Sequence, residues 1–249
     1  MAMRVPSGYE AARMAGAIVI VRHGLGDFVE RVVREHGSLD AFARRHATAT
    51  MPGRTAAHVI EAPGGRWVVR HYVRGGVMAP LGDRYLRLFG RRPYQELWAS
   101  AFARARGVET PAVAAAAIYP AGIFYRGDLA TALVADAADL ADTSLGQQRR
   151  DGHDRQLAWH AAGRLVRDAA EAGVVHADLN LRNILVAWRM GVPRPQLLDL
   201  DRCRIVQRAS PRDLAVMTHR LERSAHKFER QTGETLASEL DAFRQGISG

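Results

Sequence analysis

The stretch from Val174 to Arg204 constrains this chain more than any other. It holds two apolar runs, each leading into polar side chains: VVHADLNLRNILV and LLDLDRCRI. Asp178 and Asn183 stand five residues apart, and Asp199 follows sixteen residues after Asn183. The apolar runs are too brief for helices and read as short strands at Val174-Val175, Ile184–Val186 and Gln196–Leu200. Asp178, at a strand end, is a carboxylate able to take a proton from a hydroxyl. Asn183 offers a neutral oxygen and Asp199 a charged one, and together they suit Mg²⁺, a hard ion that prefers oxygen ligands and phosphates. A base beside a metal that bridges two phosphates is the minimum apparatus for phosphoryl transfer to an alcohol. His176 reads as a packed, hydrogen-bonded loop residue rather than a proton carrier.

Composition narrows the partners. The chain has 249 residues, 47% apolar and 24% charged, which excludes disordered and collagen-like chains. A single cysteine, Cys203, excludes a disulfide framework and Cys-cluster metal sites. Lys+Arg is 35 against 26 Asp+Glu, a formal charge of +9, and Lys227 is the only lysine. The basic side chains are therefore guanidinium groups, which grip phosphates and carboxylates bidentately and cannot act as bases. The excess charge points to an anionic partner. The longest apolar run, Ala112–Tyr125, is broken by Pro120 and is too short to span a bilayer. No signal-peptide pattern opens the chain, and the expected compartment is the cytoplasm.

The order of elements is α+β. Ala17–Val21 reads as a strand, and Gly26–Arg45 as one or two short helices with a break near Gly37-Ser38. His58–Ile60 and Arg66–Tyr72 form a hairpin around Ala62-Pro63-Gly64-Gly65. Tyr94–Arg106 is a helix with Leu97, Ala101, Phe102 and Ala105 on one face. Ala112–Ile118 and Ile123–Val134 are strands separated by Pro120-Ala121-Gly122. Asp136–Asp151 is polar and marks a lobe boundary. His153–Ala172 is a helix with Ala158, Ala161, Ala162, Leu165, Val166 and Ala169 as its buried stripe, and Asp213–Gln245 is largely helical. The expected domains are an extension at residues 1–45 (strand plus helix), a sheet-rich lobe at 46–135 and a helical lobe at 136–249.

His176-Ala177-Asp178-Leu179-Asn180-Leu181-Arg182-Asn183 followed by Asp199-Leu200-Asp201 resembles the catalytic centre of protein-kinase-like folds, an H-x-D-x-x-x-x-N loop before a D-F-G-type metal loop. That resemblance implies a two-lobed fold: a small antiparallel sheet lobe with one helix, and a mainly helical lobe. It assigns Asp178 as base and Asn183 and Asp199 as metal ligands. It further implies a phosphate turn at Met51–Ala56 with Gly53, Arg54 and Thr55, a strand cation at Arg70 where kinases carry lysine, and a partner for it at Glu96. An Arg–carboxylate pair can be bidentate, so the ion-pair role survives the change from lysine.

The combination RWVVRHYVRGGVMAPLGDRYL, YQELWASAFARARGVETPAV, IFYRGDLAT, VVHADLNLRNILV and LLDLDRCRI, with RLERSAHK at Arg220–Lys227, resembles the bacterial lipopolysaccharide kinase family, the Kdo (3-deoxy-D-manno-octulosonic acid) kinases above all. The resemblance implies ATP and Mg²⁺ as cofactors and a hydroxyl of Kdo on a lipid A precursor as acceptor. It places the protein peripherally on the cytoplasmic face of the inner membrane, with no nucleic-acid partner. Arg84, Arg87 and Arg91, interleaved with Tyr85, Leu86, Leu88 and Phe89, suit an anionic bilayer or lipid phosphates. Arg202 and Arg204 suit the acidic sugar or pair with nearby carboxylates. The competing readings are a heptose, aminoglycoside phosphotransferase-like or RIO-like kinase, and a non-catalytic module that binds an anionic surface.

Overall fold

Alternation of side chains along β-strands shapes the first half of the chain. The computed structural model describes residues 5–51, 56–73, 82–86 and 91–249. Its contacts divide the chain into two compact units, Met1–Phe102 with Ala112–Leu133, and Ala103–Pro111 with Val134–Gly249.

In the first unit, β1 (Tyr9–Met14) and β2 (Ala17–Arg22) form a hairpin, and α1 (Gly26–His36) and α2 (Leu39–His46) follow. β3 (Ala49–Met51), β4 (Ala57–Ala62) and β5 (Gly65–His71) come next, then β6 (Tyr85–Leu86), α3 (Arg92–Ala105), β7 (Val113–Ala121) and β8 (Phe124–Ala132). Among the described residues the strands make one antiparallel sheet, ordered β1-β2-β7-β8-β5-β4-β3, with β6 also on β8. Because β2 pairs with β7, residues 9–22 are woven into the same sheet as the rest of the unit. The sequence reading treats them instead as part of a separate extension.

Both faces of the sheet are covered. Val29, Val32 and Val33 of α1, spaced to share one helix face, pack with Leu39 and Ala43 of α2 on Val19, Val21, Trp67 and Val69. Gly37 ends α1 in the left-handed conformation (φ 80°), which only glycine adopts at little cost, and the Ser38 side chain then caps α2 by accepting from Ala41 N. The other face packs Tyr94 and Leu97 of α3 against Ile20, Tyr72, Ile118, Tyr125 and Leu129. The sequence reading places Leu97, Ala101, Phe102 and Ala105 on the packed side of α3, and Leu97 is buried there. The structure also buries Tyr94, Glu96, Ser100 and Ala103, leaves Ala101 and Phe102 half-buried and Ala105 exposed, and pairs the buried Glu96 with Arg70 of β5.

The second unit begins its own elements with β9 (Ala137–Asp139) and α4 (Leu140–Leu145), both inside the stretch read as a polar boundary. α5 (Gly152–Glu171) is capped by Asp151. Then come β10 (Val174–Val175), β11 (Ile184–Arg189), β12 (Val192–Leu197), β13 (Arg204–Ile205), α6 (Pro211–Thr232) and α7 (Ala237–Ser248). α5 and α7 approach so closely that a Cβ on Gly163 would lie 2.2 Å from the Phe243 carbonyl oxygen, and one on Gly246 would lie 2.1 Å from that of His160. The strand expected at Gln196–Leu200 lies earlier, at β12. Pro193 and Pro195 are tolerated there because β12 is an edge strand, ordered β12-β11-β9.

One buried carboxylate fastens α2 to the sheet. Asp128 of β8 has no exposed surface. It accepts from the Asp40 backbone N–H in the first turn of α2 (2.9 Å) and meets His71 Nδ1 at 2.6 Å. His71 Nε2 lies 3.2 Å from Asp83. Burial lowers the His71 pKa, but its hydrogen bond to Asp128, the charges of Asp128 and Asp40 and its hydrogen bond to Asp83 outweigh that and raise it above 6.5. The stabilisation is therefore complete below pH 6.5 and lost as pH rises through the raised folded-state value. His71→Ala is expected to cost about 3 kcal/mol at mildly acidic pH, the scale of a broken buried pair. Urea melts across pH should show that cost shrinking as pH rises; a pH-independent cost would contradict the assignment.

Candidate active site

In the second unit the motif residues converge through the backbone. β10 ends at Val175, and the chain turns through His176 and Asp178 into a 3-10 turn at Leu181–Asn183. β11 and β12 then form a hairpin that returns the chain to Leu198 and Asp199. Asp178 is exposed, Asn183 and Asp199 are half-buried, and His176 is 2% exposed.

His176 ties the two loops together. Its Nδ1 accepts from Asp178 N (3.2 Å), so Nε2 carries the proton and donates to the Leu198 carbonyl (2.9 Å). Burial pushes its pKa down, against the pull of the Leu198 carbonyl and of Asp199, Asp178 and Asp201, which keeps the ring neutral. Asn183 adds a second clasp. Its Nδ2 donates to the Asp178 carbonyl (2.9 Å), and its own carbonyl accepts from Leu198 N (2.9 Å). With Nδ2 used in this way, Oδ1 is the amide atom left to ligate a cation. Asp199 sits in the left-handed region (φ 58°, ψ 55°), a conformation worth roughly 1 kcal/mol of strain for a residue with a Cβ.

α6 supplies a third hold. Met217 Sδ accepts from His176 N (3.1 Å), Arg220 Nη1 donates to the His176 carbonyl (3.4 Å), and Ser224 Oγ accepts from Leu181 N (3.3 Å). These three positions share one helix face. The Arg220–Lys227 motif contains two of them, but the motif alone does not reveal which loop they hold.

In the first unit, Arg70 on β5 donates to Glu96 on α3, and the Tyr72 hydroxyl donates to the other carboxylate oxygen of Glu96. Glu96 is 4% exposed, and Arg70 and Tyr72 share a sheet face by alternation. The Arg92 guanidinium lies 5.4 Å from the Tyr72 ring. The sequence reading includes Arg70 and Glu96 but not Tyr72, whose hydroxyl carries no local signal.

Gly53, Arg54, Thr55 and Arg87 lie outside the described residues. Arg84 is exposed before β6, and the Arg91 guanidinium lies 5.8 Å from the Tyr94 ring. Arg202 is exposed in the turn after Asp199. Arg204 pairs with Asp213, which with Ser210 caps α6. Among the described residues no three His, Cys, Asp or Glu side chains form a metal cage, and no helix is long and apolar enough to cross a membrane.

Residues 42–239 match the model of the lipopolysaccharide kinase (Kdo/WaaP) family. A 3-deoxy-D-manno-octulosonic acid kinase of Stenotrophomonas maltophilia (strain K279a) is 35% identical over 153 residues, 60% of this chain and 58% of that protein. The chain thus spans under two thirds of that relative's length. A 3-deoxy-D-manno-octulosonic acid kinase of Xanthomonas oryzae pv. oryzae (strain PXO99A) is 32% identical over 183 residues, 71% of this chain and 68% of that one. A solved structure, WaaP in complex with acyl carrier protein, superposes with a TM-score of 0.57 at 16% identity, covering 92% of this chain and 88% of that one. That likeness shows the fold, which is protein-kinase-like. Through its sequence match over most of its length, the chain belongs to the lipopolysaccharide kinase (Kdo/WaaP) family.

Proposed function

We propose that the chain is an ATP-dependent kinase that phosphorylates a hydroxyl of Kdo on a lipid A precursor. The observation that carries this reading is the double clasp on Leu198, by His176 Nε2 and by the Asn183 carbonyl, inside the family-matched segment. It holds a solvent-facing carboxylate at Asp178 and oxygen donors at Asn183 and Asp199 on adjoining loops.

Asp178 is assigned as the base that takes the proton from the acceptor hydroxyl. Asn183 Oδ1 and the Asp199 carboxylate would hold Mg²⁺. Two protein oxygens suit it, since this ion keeps waters and phosphate oxygens for the rest of its shell. When bound, the ion neutralises charge on the phosphates. Neutral His176 keeps the two loops in register without competing for the proton. Arg70, held by Glu96, is assigned to nucleotide phosphates, and Gly53, Arg54 and Thr55 to the phosphate turn. Arg202, exposed beside Asp199, is the remaining cation for the acid sugar, since Arg204 is engaged by Asp213. Peripheral attachment to an anionic inner-membrane surface is assigned to Arg84 and Arg87, with Arg91 contributing less because it packs over Tyr94.

Incubation with ATP, Mg²⁺ and Kdo-lipid A should yield a product heavier by one phosphate by mass spectrometry. Phosphate appearing only on a heptose, a drug or a protein would move the assignment to another kinase. Asp178→Asn should lower kcat by about 10²–10⁴-fold and leave nucleotide binding in place; wild-type turnover would remove Asp178 as base. The double variant Arg84→Ala/Arg87→Ala should weaken binding to anionic vesicles, with the difference disappearing at high salt. Equal sedimentation with vesicles at low salt would leave these arginines as ordinary surface.

A further inference from the structure

In the first unit one imidazole stands between two carboxylates that belong to different stretches of chain. His71 Nδ1 lies 2.6 Å from Oδ1 of Asp128 on β8, and its Nε2 lies 3.2 Å from Oδ2 of Asp83, twelve residues further along the chain. A carboxylate oxygen only accepts, so this arrangement needs a donor at each ring nitrogen. The imidazolium supplies both, and the neutral ring supplies one.

The two partners differ in what they tolerate. The Asp128 side chain has no exposed surface, whereas that of Asp83 is 34% exposed. A carboxylate oxygen left without a donor is penalised far more in the interior than where water reaches it. When the ring gives up one proton, the other therefore stays on Nδ1 with Asp128. Nε2 then turns a lone pair towards Asp83 Oδ2, and two acceptors at that distance repel. Asp83 parts from the ring, to water or towards Arg126, whose Nη1 is 4.0 Å away.

Asp83 is also the entrance to β6. Arg84 follows it, and then Tyr85 and Leu86 pair with Tyr125 and Phe124 of β8. Two residues make a marginal ladder, reinforced here by the Tyr85 ring stacked on Tyr125 at 5.5 Å. A side-chain tie just ahead of it governs how firmly the chain around Arg84 is pinned. We propose that His71 is a proton-operated latch: with both ring nitrogens protonated it ties Asp83, and the entry to β6, to the sheet, and on losing one proton it lets Asp83 go.

The charged and titratable neighbours leave this role to the ring. Asp40 and Arg44 of α2, Tyr119 of β7, Asp128 and Arg126 of β8, and Asp83 surround it. Asp40 is paired with Arg44 at 2.7 Å, and burial pushes the Tyr119 hydroxyl so far up that it keeps its proton. The imidazole is the group of this cluster whose ordinary titration lies nearest neutral pH. Burial opposes its charge, yet the bonds to Asp128 and Asp83 and the charges of Asp128 and Asp40 raise its pKa, so release begins above the usual imidazole range.

Hydrogen exchange of residues 83–86 in the full chain, corrected for the intrinsic rate at each pH, tests the latch. The titration of His71 is followed in parallel by its ring proton signals. Neither measurement involves nucleotide, acceptor or turnover, so failure of the kinase reading and failure of this one are distinguishable. In the wild type, protection should fall by about three- to tenfold as pH rises through the His71 titration, the scale of one charge-assisted hydrogen bond at a partly exposed site. Asp83→Ala should show the low value at every pH. Asp83→Asn, whose amide can accept from the charged ring or donate to the neutral one, should also lose the pH dependence. Arg126→Gln should keep it. The proposal is overturned if wild-type protection does not change through the His71 titration, if Asp83→Ala retains the pH dependence, or if Arg126→Gln abolishes it.

Discussion

One buried imidazole organises the candidate active site. His176 accepts a hydrogen bond at one ring nitrogen and donates at the other, and only the neutral ring can do both. Burial enforces that neutral form against three nearby carboxylates. The ring therefore acts as a spacer of fixed length between the strand end before Asp178 and the strand end before Asp199. If it were protonated, Nδ1 would become a donor facing the Asp178 N–H, and the two loops would lose their shared register.

The rest of the second unit reinforces that spacer. Asn183 bonds the same stretch from the hairpin side, and Met217, Arg220 and Ser224 hold the loop backbone from α6. Each contact is to a backbone group, so the loop is shaped without spending the Asp178 carboxylate. The left-handed Asp199 is strained and persists because these bonds and the following turn determine its position.

The first unit shows a different use of buried charge. Glu96 and Asp128 lie on opposite faces of one sheet, each in a place that would strongly penalise a bare carboxylate. Glu96 is met by Arg70 and Tyr72, and Asp128 by His71 and the first turn of α2. Each cluster joins a helix to the sheet. Such pairs contribute little net stability over apolar packing, but breaking one is costly, so they define which helix surface faces which strand.

Much of this was legible in the order of residues. The spacing of Asp178, Asn183 and Asp199, the Gly37-Ser38 break between α1 and α2, the turn at Ala62–Gly65 and the stripe of α5 are local patterns, carried by residue types whose conformational or apolar preferences act over a few positions. β1 was hidden because its edge position leaves its side chains mostly exposed, without clear alternation. β9 and β6 were hidden because two or three residues carry no period. The packed face of α3 was misread because Glu96, a residue expected at the surface, is held inside by Arg70.

The sequence by itself determined the family, the spacing of the candidate side chains and most helices, since motif spacing and helical period are properties of short segments. Only the tertiary structure decided that Arg204 goes to Asp213, that Tyr72 joins Glu96, that α6 grips the loop carrying Asp178, and that α2 closes over His71 and Asp128. Those choices depend on pairs separated by up to 88 residues, as between Asp40 and Asp128. Nothing in a local window specifies which buried charge will meet which donor until the sheet and helices have packed.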